Sequence, residues 1–90
     1  MSMRSKFSIQ NAIKNIVSFV NFNQNMSDKI TNEDVRIIFT KENDEVSCSV
    51  KKIDRSNGGY ELKNLPKFED HIGYGQDEEN AYLDLIFMSK

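Results

Sequence analysis

Between two strand-like runs the chain reads Asn57-Gly58. That dipeptide is the strongest short-range hairpin signal, because a type I′ turn needs positive φ at both central residues. The run before it alternates, with Val46, Cys48 and Val50 on one side and Ser47, Ser49 and Lys51 on the other. Such a period-two pattern gives a strand with one buried and one wet face. After the turn, Tyr60, Leu62 and Leu65 open a third strand, which Pro66 ends or confines to an edge. Upstream, residues 34–41 read as the first strand, with Val35, Ile37 and Phe39 on one face and Arg36, Ile38 and Thr40 on the other. Residues 42–45 turn it into the second, 46–53. A half-wet antiparallel sheet constrains the rest of the chain, because its apolar face has to be covered.

Two helices are available to cover it. In residues 9–22, Ile9, Ala12, Ile13, Ile16, Val17 and Val20 recur at helical spacing, and Phe19 and Phe22 widen the stripe. Ser8 is placed to cap this helix, with Phe7 to staple onto Ala12. Residues 23–33 form a polar linker with Met26 and Ile30 as anchors and room for one helical turn. Ile72 and Tyr74, around Gly73 and Gly75, suggest a short fourth strand. Asp77 then caps a C-terminal helix whose first turn carries Glu78 and Glu79, where the helix dipole favours acids. Ala81, Tyr82, Leu85, Ile86 and either Phe87 or Met88 make its inward stripe. The prediction is one α+β domain over residues 1–90, in two layers. It has an N-terminal helix (1–22), a linker (23–33), a three- to four-stranded antiparallel sheet (34–75) and a C-terminal helix (76–90).

Ninety residues support one small core and no extended active-site cleft. With 38% hydrophobic residues, six Phe and three Tyr, the chain has the apolar mass to fold. A net charge of -2 gives no global attraction to nucleic acid or an anionic membrane. One cysteine allows no internal disulfide. No stretch approaches the roughly 18 apolar residues of a membrane span. The first helix is interrupted by Gln10, Asn11, Lys14, Asn15 and Ser18, so it is no signal-peptide core. A cytoplasmic protein is expected.

The charge is unevenly placed. Residues 1–22 carry Arg4, Lys6 and Lys14 and no acid, whereas residues 69–90 carry Glu69, Asp70, Asp77, Glu78, Glu79 and Asp84 against Lys90. That acidic set, with Tyr74 and Tyr82 as aromatic anchors, is the candidate partner-binding surface. It would imitate phosphates before a basic groove on another protein. A second candidate is the basic hairpin, where Lys51, Lys52 and Arg55 with Tyr60 across the turn offer charges and a ring to single-stranded nucleic acid. A third is the N-terminal stripe with Phe19 and Phe22, which would make the chain a homodimer or a structural subunit.

Groups for catalysis are scarce. His71 follows Glu69 and Asp70, but adjacent residues seldom converge on one ion, and no second His completes a set. Cys48 lies among Val46 and Val50, where a thiol is buried rather than activated. Gly73-Tyr74-Gly75 is followed by Gln76, Asp77 and Glu78, whose acids would repel a phosphate. The glycines are better explained by a bend or a close backbone approach. No enzyme activity, metal or cofactor is expected.

The segment from Leu65-Pro66 through Gly73-Tyr74-Gly75 to Asp77-Glu78-Glu79-Asn80-Ala81-Tyr82 resembles the core of HicB-type antitoxins. That family commonly reads Leu-Pro, a short run, then Gly-Asp-Thr, two acids and Ala-Leu into a helix. Leu65, Pro66, Gly75, Glu79 and Ala81 fall at corresponding places, and Asp77 stands for the usual Thr cap. The resemblance covers about a quarter of the chain closely. It implies a protein that binds and blocks another protein, such as a small ribonuclease toxin. An inhibitor carried by a phage or another mobile element, for example an anti-CRISPR protein, fits the same description.

Overall fold

The computed structural model describes residues 7–22, 29–56, 58–65, 67–69 and 71–89. The expectations placed on Met26, Asn57, Pro66 and Asp70 fall outside these residues. The first helix, α1, runs Ile9–Phe22, and Ser8 Oγ accepts the Asn11 N–H at 3.2 Å as its N-cap. Ala12, Ile16 and Val20 are buried at four-residue spacing, with Ile13 and Val17 half-buried beside them. Phe7 reaches across to Phe39 and Tyr82, at centroid distances of 6.1 and 5.5 Å. The linker is tied to the helix by Asn21, whose side chain donates to Ile30 O (2.9 Å) and accepts from Ile30 N (3.0 Å). Ile30 is buried, so this expected anchor is real. A single 3-10 turn, Asn32–Asp34, leads into the sheet.

The sheet comprises β1 (Val35–Glu42), β2 (Glu45–Asp54), β3 (Glu61–Asn64) and β4 (Gly73–Gly75). β1 pairs antiparallel with β2 from Val35↔Lys52 to Glu42↔Glu45. The two-residue turn between them, Asn43-Asp44, has φ of 53° and 65°. Two consecutive residues in the left-handed region make this a type I′ hairpin. The β2–β3 hairpin is also formed, but its pairing ends at Asp54↔Glu61, so residues 55–60 connect the strands instead of a two-residue turn. Gly58 does adopt positive φ, 85°. Tyr60 and Leu65 lie outside β3, a correction to the longer third strand expected.

β3 and β4 occupy the same edge of β2. β3 pairs with Lys51–Asp54 and β4 with Val46–Cys48, both antiparallel and both opposite β1. They are two halves of one interrupted strand. Between them the described residues of 65–72 (65, 67–69, 71 and 72) lie outside the sheet, and Leu65 and Phe68 enter the core, both almost fully buried. Burying a side chain of this size contributes about 1.5–3 kcal/mol, so the interruption is itself a packing element. Pleating puts Val46, Cys48 and Val50 on the covered face, where they meet Ala12, Ile16 and Val20 of α1. Ala81, Tyr82 and Leu85 of the second helix, α2 (Glu78–Met88), complete the core. Both helices therefore cover one face, and Arg36, Ile38, Thr40, Ser47, Ser49 and Lys51 remain on the open one.

Candidate protein-binding surface

α2 rests directly on the backbone of β4. A Cβ placed on Gly73 would overlap the carbonyl of Ala81 and stand 2.5 Å from Leu85 N. One on Gly75 would stand 2.6 Å from Ala81 N. The close backbone approach read from these glycines is what the fold uses. Asp77 caps α2, its Oδ1 accepting the Asn80 N–H at 2.8 Å. Asp84 Oδ2 accepts the Tyr74 N–H at 2.9 Å, which satisfies a donor on the exposed edge of β4. Two of the candidate acids thus hold β4 and α2 together.

The remaining acids diverge. Residues follow one another by 100° around a helix. Taking Leu85 as the inward direction, Asp84 lies on the flank toward β4, whereas Glu79 lies on the opposite flank with Tyr82, Leu83 and Ile86. Glu78 begins the helix above the sheet, where it lines a hollow with Phe39, Lys41 and Val46. Glu69 is exposed on the 65–72 excursion, next to buried Phe68. The acidic set is therefore no single face. Tyr74 is half exposed on the open sheet face, opposite Ser47. Tyr82 is only 7% exposed, which removes it as a surface anchor. Burial pushes its phenol up, and a hydrogen bond with Asn15 acts in the other direction.

The basic hairpin disperses as well. Lys51 donates to Asn64 Oδ1 at 2.7 Å on the open face, Lys52 alternates to the covered face, and Arg55 lies 3.8 Å from Asp34. Arg36, not singled out from sequence, lies over the Tyr60 ring at 5.8 Å. Cys48 is fully buried, and burial, with the Glu78 charge second, pushes its thiol up to about 12. His71 Nδ1 lies 3.3 Å from Ser89 Oγ, and that hydroxyl donates to Leu85 O at 3.0 Å. A hydroxyl has one proton, so His71 Nδ1 is the donor to it. His71 secures the end of α2.

What the sequence did not reveal is a cleft between the two helices. Phe68 and Tyr82 contribute to its lining, with Asn15 and Phe19 on the α1 side and Leu83 and Ile86 on the α2 side; its volume is about 330 Å³. Phe19 and Phe68 meet edge to face at 5.9 Å. The same helices expose large apolar side chains: Phe22 at 86%, Phe87 at 78% and, in the cleft lining, Leu83 at 51%. Phe22 and either Phe87 or Met88 are expected to extend the buried stripes, and the exposure of all three corrects that. A signal was present: seven of the eleven residues of α2 are apolar, more than one buried stripe requires. No helix among the described residues is long and apolar enough to cross a membrane. Compared with known protein families, characterised proteins and solved structures, the chain gave no match.

Proposed function

We propose that this chain is a non-catalytic inhibitory module that binds a nucleic-acid-processing enzyme through its helical layer. The observation that carries the reading is the apolar display on that layer. Single exposed apolar residues are ordinary, but an apolar cleft lined by exposed Leu83, on helices that also expose Phe22 and Phe87, is the kind of surface that marks a protein interface. On the cleft flank α2 adds Glu79 and, among its described residues, no base, a charge that complements a basic groove. The resemblance of residues 65–85 to HicB-type antitoxins points the same way. The burial of Cys48 and the commitment of His71 to Ser89 leave these two groups to structural roles.

The test is inhibition rather than capture alone. A partner retained from the native host on the immobilised domain is purified, and its nucleic-acid turnover is measured as the domain is titrated in. Activity should fall to completion near one equivalent. Undiminished turnover at excess domain, or a capture that yields no such enzyme, contradicts the reading.

A further inference from the structure

We propose that the chain pairs with a second copy of itself along the free edge of β1, antiparallel, with Arg36 of each copy opposite Glu42 of the other. This pairing leaves the helical cleft open and goes beyond the inhibitor reading without depending on it. The sheet guards its two edges unequally. One edge is split into the short strands β3 and β4, and the outward N–H of Tyr74 on β4 is taken by Asp84. The other is β1 alone, eight residues long, without proline and paired one to one with β2 throughout, so no bulge turns it aside. The pair flanking a two-residue turn is hydrogen-bonded, and bonded pairs alternate along the ladder. From Glu42↔Glu45 the bonded pairs are therefore Thr40↔Ser47, Ile38↔Ser49 and Arg36↔Lys51. The outward Tyr74 N–H, opposite Ser47, fits the same alternation. Val35, Ile37, Phe39 and Lys41 thus direct their N–H and C=O groups away from β2. Among the described residues, nothing outside the ladder bonds these groups.

Charge selects the occupant and the register. Within one chain Arg36 faces Lys51 across the ladder and Glu42 faces Glu45, two like-charge pairs. Arg36 and Glu42 are both exposed, and neither forms an ion pair among the described residues. The nearest acid in sequence to Arg36, Asp34, lies 3.8 Å from Arg55. An antiparallel copy centred on Phe39 sets Arg36 against Glu42 at both ends, by symmetry. In that register Ile37 and Lys41 of one copy exchange hydrogen bonds with Lys41 and Ile37 of the other, and Phe39 with its own counterpart. Centring on Ile38 instead puts Arg36 against Thr40 and brings Asp34 up to Glu42. Centring on Thr40 runs the ladder into the Asn43-Asp44 turn. Lys41 lies opposite Ile37 of the copy and lines a hollow with Asp77 and Glu78 of its own. The twofold axis stands perpendicular to the sheet, so both helical layers lie on one side of it. α1 packs over β1 and turns toward its copy the flank opposite Asn15 and Phe19, where Ile13 and Val17 are half-buried. A strand of an unrelated protein would find the same backbone groups, but the charges of β1 complement β1 itself.

Sedimentation equilibrium of the full chain, carried to millimolar concentration, should show a mass approaching twice 10.4 kDa. Arg36→Glu and Glu42→Arg each set like charges together at both ends of the pairing, and each should stay monomeric. Within one chain each change relieves a like-charge pair, with Lys51 or with Glu45, so circular dichroism should show the fold intact. Mixed one to one, the two variants complement each other and should dimerise again, as should the double Arg36→Glu/Glu42→Arg chain. The amides of Ile37, Phe39 and Lys41 should exchange about tenfold or more slowly in the parent dimer than in either variant alone. Diluting the parent chain to monomer gives the same comparison without any substitution. A monomer at every concentration, a dimer indifferent to both reversals, variants that stay apart when mixed, or a dimer in which these three amides exchange freely would each overturn the proposal. So would protection of those amides only in the presence of a captured enzyme, which assigns the edge to a strand of that partner.

Discussion

Cys48 shows how a side chain's role follows from its register. It lies opposite Phe39 on the covered face and is fully buried. Loss of hydration is the main reason its thiol is pushed up to about 12 from the ordinary 9.0, and the Glu78 charge adds to it. The folded state therefore holds this proton more tightly than the unfolded chain does. The thiol's contribution to stability is fully present below pH 9.0 and is lost as pH rises toward about 12. Two outcomes are expected. At about pH 8 the native thiol resists iodoacetamide and reacts only as fast as the domain opens. Denaturation midpoints measured across the alkaline range should fall less steeply in Cys48→Val. Rapid alkylation of the folded protein would contradict the burial. The same register reasoning explains why Lys51 and Lys52 cannot form one patch: neighbours on a strand point to opposite faces.

At the scale of elements, the junction of β4 and α2 is the most constrained. Gly73 and Gly75 admit the helix backbone to van der Waals distance of the strand, Asp84 holds the strand's outer N–H, and Asp77 caps the helix. Gly73→Ala must force these backbones apart, and a loss of about 1–3 kcal/mol is expected in urea unfolding. The added methyl of Gly58→Ala meets nothing within 4 Å, so the cost of that change is confined to the positive φ. Equal stability of the Gly73→Ala and parent chains would show that the contact is looser than described. This junction was legible in the sequence, since capping chemistry and glycine spacing are local signals. The strands were legible for the same reason: Val46, Cys48 and Val50 declare a buried face by alternation alone. The interruption of the third strand was not legible. Leu65 and Phe68 read as strand and loop, and only tertiary packing decides that both turn inward. Nor was the cleft, because periodicity shows that α2 is rich in apolar residues but not which of them α1 leaves uncovered.

For the whole molecule, the two faces divide the work. The sheet's open side mixes small polar residues with Ile38, Ile53, Leu62 and Tyr74, and has Arg36 laid over Tyr60 and Lys51 bonded to Asn64. The helical side carries an apolar cleft and the exposed side chains of Ile9, Phe22, Leu83, Phe87 and Met88. The acidic third of the chain proves to be two things: a pair of carboxylates that build the β4–α2 junction, and others that remain on the surface. Charge reversal across the acidic set therefore tests two things at once. Asp77→Lys removes a helix cap and costs about 1 kcal/mol, so its effect on a partner is confounded with folding, whereas Glu79→Lys leaves the cap in place and forfeits only the dipole contribution, about 0.3–1 kcal/mol.

The most direct test of the account is amide hydrogen exchange of the domain alone and bound to the enzyme it is proposed to inhibit. Protection confined to residues 15–22 of α1, 67–69 of the excursion and 79–87 of α2, with β1 and β3 unchanged, is the predicted result. Protection along the open sheet face, with the helices exchanging as they do in the free domain, would contradict it.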